Sequence, residues 1–284
     1  MDLEAAYKKC QDLAYSHYEN FPVARMVPRR LRKHVAAVYA FARTADDIAD
    51  ENHDTIAADS PVRVEWLNEY VAELDKSLKG GKLDERWAWI FTALSNTIRE
   101  FDIPTSLFTD LVSAFAQDVV KKRYADYAEL YDYCRRSANP VGRLVLILHG
   151  FRDEERFAMS DAICTALQLA NFWQDMSVDR EKNRIYIPQE EWGALTEEDF
   201  FAPMASEAVR SCVCAQVIRT ESLFARGQDL PKTLPFPLSL EIKLTLAGGR
   251  MILKMIERQK FDTLKKRPAI RKRDKLRILL SAIF

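Results

Sequence analysis

Sixteen residues, Val35-Ala36-Ala37-Val38-Tyr39-Ala40-Phe41-Ala42-Arg43-Thr44-Ala45-Asp46-Asp47-Ile48-Ala49-Asp50, constrain the fold most. They have the spacing of a helix that is apolar nearly all round, and such a helix is expected to be buried. Yet Tyr39, Arg43, Asp46, Asp47 and Asp50 form one polar stripe along it. Buried charges need partners or metals, or they change protonation. A second helical pattern repeats the arrangement. Gln168, Asn171, Asp175 and Asp179 share a face and alternate with Ile163, Ala166, Leu167, Leu169, Ala170, Phe172 and Trp173. In both, carboxylates four residues apart leave the same side of a helix. Two facing pairs would cage a hard divalent cation such as Mg²⁺, which takes oxygen ligands and shares them with a substrate phosphate. The alternatives are an acidic helix end paired with arginines for the first stripe and a structural polar network for the second.

The rest of the chain is punctuated like a helical protein. It has 8 glycines and 11 prolines in 284 residues, the prolines mostly between apolar-periodic stretches. Helices are predicted near 3–19, 28–53, 62–79, 84–101, 104–122, 126–137, 140–151, 155–180, 204–226 and 239–262. Pro28 and Pro140 suit first-turn positions, and Asn139 is a candidate cap. Breaks fall at 54–61, at Lys79-Gly80-Gly81-Lys82 and at 229–238. Only Arg184-Ile185-Tyr186-Ile187-Pro188 resembles a strand, and Pro188 favours an extended loop instead. The expectation is one all-α domain over residues 1–284 with a deep central cavity.

Composition excludes several classes of function. The 42 basic and 42 acidic residues balance, so nothing recommends nucleic acid as a partner. There is no Walker loop and no GxGxxG. Five cysteines in no metal-binding arrangement read as free thiols of a reducing compartment. The charged N-terminus does not read as a signal peptide, and no apolar run is long enough to span a bilayer. A cytoplasmic location is expected. The Lys/Arg-rich stretch from Leu264 to Leu276 reads as a solvated last helix, with peripheral contact to anionic lipid of the inner membrane as the alternative. Arg43, Arg180, Lys182 and Arg184 beside the acids suit a metal-bridged diphosphate. Arg180 and Lys182 fit surface ion pairs equally well.

Taken together, these motifs resemble the squalene/phytoene synthase family of head-to-head prenyl transferases, from about Tyr15 to Arg258. The resemblance rests on both aspartate motifs and on Tyr131-Asp132-Tyr133-Cys134 followed by Val141-Gly142. It rests also on Ala166-Leu167-Gln168-Leu169 leading into Asn171, and on the Arg184–Pro188 element with Asn183 where the family usually has Gly. Glu19-Asn20-Phe21-Pro22, Phe41-Ala42-Arg43-Thr44-Ala45-Asp46-Asp47, Asn139-Pro140-Val141-Gly142-Arg143 and Asn171-Phe172-Trp173-Gln174-Asp175 are similar to its hydroxysqualene-forming branch in bacterial hopanoid biosynthesis.

That resemblance implies the isoprenoid synthase helical fold and Mg²⁺-dependent conversion of presqualene diphosphate and water to hydroxysqualene. Mn²⁺ would be a substitute, and NADPH would not be needed. A presqualene diphosphate synthase would be a functional partner. By the same resemblance Asp46, Asp50, Asn171 and Asp175 hold the metal, supported by Asp47 and Asp179. Tyr39, Arg43, Gln168, Arg184 and His17 touch the diphosphate or orient its neighbours, and Phe21, Phe41, Phe172 and Leu146 wall the isoprenoid chains. Relatives that condense two prenyl diphosphates usually carry Arg at the position of Gln174 and Tyr at that of Gly249, so both residues argue against such condensation. The lost Arg suits a site that handles one diphosphate, and Gly249, replacing a phenol, is expected to open space near the other end of the site. Squalene, phytoene or dehydrosqualene synthesis, and a non-catalytic assembly factor, are the competing functions.

Overall fold

A computed structural model of the chain describes residues 2–17, 27–50 and 60–270. Its helices are α1 (Leu3–His17), α2 (Arg32–Asp50), α3 (Pro61–Leu78), α4 (Ala88–Glu100), α5 (Ser106–Val120), α6 (Tyr127–Ser137), α7 (Asn139–Leu148), α8 (Glu154–Asp179), α9 (Glu197–Phe201), α10 (Glu207–Gly227) and α11 (Leu238–Arg258). No strand occurs among the described residues, and 184–188 is an extended loop. None of these helices is long and apolar enough to cross a membrane.

The chain divides into two compact units, residues 1–121 with 140–152, and residues 122–139 with 153–284. In the first, α2 packs against α1, α3, α4 and α5. Small side chains make this close approach workable: Ala36, Ala37 and Ala40 of α2 meet Ala6, Cys10 and Ala14 of α1 and Ala93 of α4. Behind them, the Phe41 ring contacts Tyr70, Phe91 and Phe108. In the second unit, α8 lies against α6, α10 and α11. Trp173, fully buried, donates its indole N–H to Thr220 at 2.8 Å.

Several predicted boundaries move, each for a local reason. The helix predicted from 28 begins at Arg32, after a 3₁₀ turn over Arg29–Leu31 preceded by Pro28 in an extended conformation. The helix predicted from 84 begins at Ala88, because Asp84 accepts from both the backbone N and the side chain of Arg86 and folds a turn. Pro140 does stand in the first turn of α7, while the Asn139 carboxamide accepts from Thr165 at 3.0 Å. The short α9 escaped the apolar-period reading, although Thr196 and Asp199 announce it as a capping box. The helix predicted to 262 ends at Arg258, and Lys260 and Phe261 then take positive φ. Residues 264–270 are not helical, contrary to a solvated last helix there; the remainder of that stretch lies outside the described residues.

Candidate functional site

The C-terminal halves of α2 and α8 carry the two acidic motifs, one in each unit. Both helices end on acids, with no basic residue in the last turn. Acids there face the negative end of the helix dipole, so the arrangement costs stability. Structure alone would not favour it.

On α2 the alanines and Phe41 form the packed face, and the polar stripe lies on the opposite, open side. Asp46 retains 45% exposure and Asp47 30%, and Asp50 is exposed. The expectation of a wholly buried helix is therefore corrected: five small side chains concentrate the packing on one side. Arg43, one turn earlier, pairs with Asp46 at 3.4 Å and Asp47 at 2.5 Å. Tyr39 completes the stripe half-buried; burial pushes its phenol up, Arg43 lowers it, and Asp47 and Asp46 raise it. His17 ends α1, and Phe21 lies outside the described residues. Phe41 and Leu146 are buried, Phe41 completely.

A residue that sequence reading passed over holds the end of α2. Arg63, completely buried, donates to the backbone carbonyls of Ala49 at 3.0 Å and Ile48 at 3.3 Å. These are among the last carbonyls of the helix, which have no intrahelical partner. No local pattern marks a lone arginine on α3 for this task.

On α8, Gln168 is half-buried, Asn171 exposed and Asp175 half-buried, all on the side away from the Trp173 core. Phe172 stacks on Tyr186 with centroids 3.6 Å apart. Both rings line a crevice with Asp179, Arg184 and Leu264. The turn leaving α8 requires Asn183 in the left-handed region, φ 55°. That explains an Asn at a glycine position, since a short polar side chain tolerates this conformation. Arg123, also missed, fixes the turn by donating to the Asn183 carbonyl at 2.6 Å and carboxamide at 2.9 Å, and it pairs with Glu197 at 2.8 Å.

Two departures from the resemblance read differently in three dimensions. Gln174 does not leave the second motif without a cation. Arg267 brings its guanidinium to Asp175, with Nη2 donating to Oδ2 at 3.2 Å and Nε donating to Oδ1. Gly249 does not open space either. A Cβ there would lie 2.4 Å from the Phe224 ring and 2.8 Å from Leu167, whereas one on Gly248 would meet nothing within 4 Å. Gly248 is thus the open position on α11, on the same stripe as Glu241, whose carboxyl burial pushes up to about 7. Gly249→Ala is expected to destabilise the protein by about 1–3 kcal/mol through overpacking, and Gly248→Ala to leave it unchanged or slightly stabilised. Thermal denaturation of the two variants side by side checks this.

No disulfide joins any of the five cysteines, and burial pushes the Cys10 thiol up to about 12 and that of Cys212 up to about 11. Among the described residues no three acidic, His or Cys side chains gather into a protein-only metal cage. The donors present are hard oxygens in pairs, Asp46 with Asp50 and Asn171 with Asp175. Such pairs fit Mg²⁺, which takes one or two carboxylates and completes its shell with water and phosphate oxygens.

The squalene/phytoene synthase family model matches residues 14–274. A hydroxysqualene synthase of Rhodopseudomonas palustris is 36% identical over 244 residues, covering 84% of this chain and 80% of the relative. One from Sinorhizobium fredii is 34% identical over the same shares. The solved squalene synthase HpnC from Alicyclobacillus acidocaldarius is 40% identical and superposes with a TM-score of 0.82, over 91% of this chain and 95% of that one. A dehydrosqualene synthase solved with a ligand superposes with a TM-score of 0.83 at 19% identity, over 99% and 96%, and shows the all-helical isoprenoid synthase fold. The chain belongs to the squalene/phytoene synthase family of isoprenoid biosynthesis.

Proposed function

We propose that this chain is a hydroxysqualene synthase, acting on presqualene diphosphate with its two units working as one domain. The observation that carries the reading is the identity of 36% across 84% of the chain to a relative of that name, with every acid of both motifs present. Asp46, Asp50, Asn171 and Asp175 would hold Mg²⁺, with Asp47 and Asp179 in support. When bound, the metal neutralises charge developing on the departing diphosphate. Arg43 and Arg184 add fixed positive charge, and Gln168, Tyr39 and His17 orient the neighbours of the diphosphate. The C–O bond breaks with its electron pair leaving on diphosphate. The C30 cation rearranges and is captured by one water molecule, whose proton is lost to solvent. Aromatic faces such as Phe172 stabilise the cation, and apolar walls limit its capture to admitted water.

The test is incubation of the purified chain with Mg²⁺ and presqualene diphosphate in H₂¹⁸O, with and without NADPH. The expected product is hydroxysqualene carrying the heavy oxygen in both arms. Squalene formed only with NADPH would favour capture of the cation by hydride instead of water. Condensation of farnesyl or geranylgeranyl diphosphate at comparable rates would move the chain to another branch.

A further inference from the structure

Beyond α11 the chain runs back along α8, fastened at several points. Asp262, buried, accepts from the backbone N of Ala205 at 2.9 Å and pairs with Arg210 at 3.1 Å. Leu264, 1% exposed, closes the crevice that holds Asp179 and Arg184. Pro268 is buried, and its carbonyl accepts a 2.6 Å hydrogen bond from the Gln174 carboxamide, itself 6% exposed. Between Leu264 and Pro268 the side chains turn outward, and one of them, Arg267, engages both oxygens of Asp175.

Gln174 and Asp175 are adjacent in sequence, as are Pro268 and Arg267. Two neighbouring residues of α8 therefore grip two neighbouring residues of this segment, one by a neutral hydrogen bond and one by an ion pair. The division of labour has a physical reason. A buried donor beside an ion pair is cheapest when neutral. Arginine at 174 would set a second guanidinium, largely desolvated, close to the first.

We propose that residues 262–270 form a strap in which Gln174 positions Arg267 on Asp175, so that the guanidinium holds this carboxylate until a divalent cation displaces it. This rests on the reading of Asp175 as a metal ligand. Both Asp175 oxygens are engaged by Arg267, so a metal and Arg267 compete for the same atoms. Metal binding then loosens the strap beside the crevice, and loosening the strap favours metal binding.

The experiment titrates Mg²⁺ alone into wild type, Arg267→Gln, Gln174→Met and Asp175→Asn by calorimetry. It also follows amide hydrogen exchange at 264–267 and 269–270. Arg267→Gln is expected to bind Mg²⁺ about threefold more tightly, the scale of a partly exposed ion pair. Gln174→Met keeps the side-chain length without the donor. It should tighten binding likewise and speed exchange in the strap without metal, which a merely structural glutamine would not do. In wild type, Mg²⁺ with inorganic diphosphate should speed the same amides. Unchanged Mg²⁺ affinity in Arg267→Gln and Gln174→Met, with Asp175→Asn weaker than wild type, overturns the strap and leaves the proposed function standing. Asp175→Asn binding Mg²⁺ as well as wild type overturns the metal assignment, and the competition with it. Strap exchange in Gln174→Met equal to wild type overturns the positioning role whatever the metal does.

Discussion

Asp50→Asn is expected to lower kcat/KM on presqualene diphosphate on the order of a thousandfold, about 4 kcal/mol of transition-state stabilisation, while the melting temperature does not fall. Asp50 is the last residue of α2, exposed, at the negative end of the helix dipole. Replacing its charge with an isosteric amide empties no core and relieves that dipole, so a loss of activity would report chemistry rather than unfolding. The double variant Asp50→Asn/Asp175→Asn should be little worse than either single one, because groups that act as a unit are not additive. Steady-state kinetics over a range of Mg²⁺, with circular dichroism of each variant, decide this. Near wild-type turnover by folded Asp50→Asn would show that the metal is held elsewhere.

Arg63→Ala should have the largest effect on stability, about 3–4 kcal/mol, or roughly 10 °C in melting temperature for a chain of this size. Its guanidinium is completely buried and donates to the Ile48 and Ala49 carbonyls. Truncation strands those carbonyls without a donor and leaves a cavity as well. Arg63→Lys is expected to recover only part of the loss, since a point charge on a flexible stem does not reproduce the planar fork. Those carbonyls immediately precede Asp50. The same variants should therefore lose activity at temperatures where they remain folded, a check that separates a frayed α2 from global unfolding.

Much of this architecture is local in origin and was legible in the sequence. The 3.6-residue period located α2 and α8 to within a few residues, and the four-residue spacing put Asp46 with Asp50, and Asn171 with Asp175, on common helix faces. Gly80, at φ 71°, ends α3 where the double glycine marked a break. Pro61, the first residue of the same helix, falls in the break predicted at 54–61, one position before the helix predicted from 62.

Only the tertiary structure decided which neighbour covers each face. The helical period records that one side of α2 is apolar. It does not record that alanines would concentrate the packing there and leave Asp46 half-exposed. Gly249 looked like vacated space until Phe224 and Leu167 proved to fill it. Gln174 looked like a lost cation until Arg267, 92 residues beyond Asp175, arrived from the end of the chain. Helix formation depends on contacts three or four residues apart, which the sequence displays directly. The charge balance of a carboxylate depends on whatever side chain the fold delivers, and no spacing along the chain encodes that.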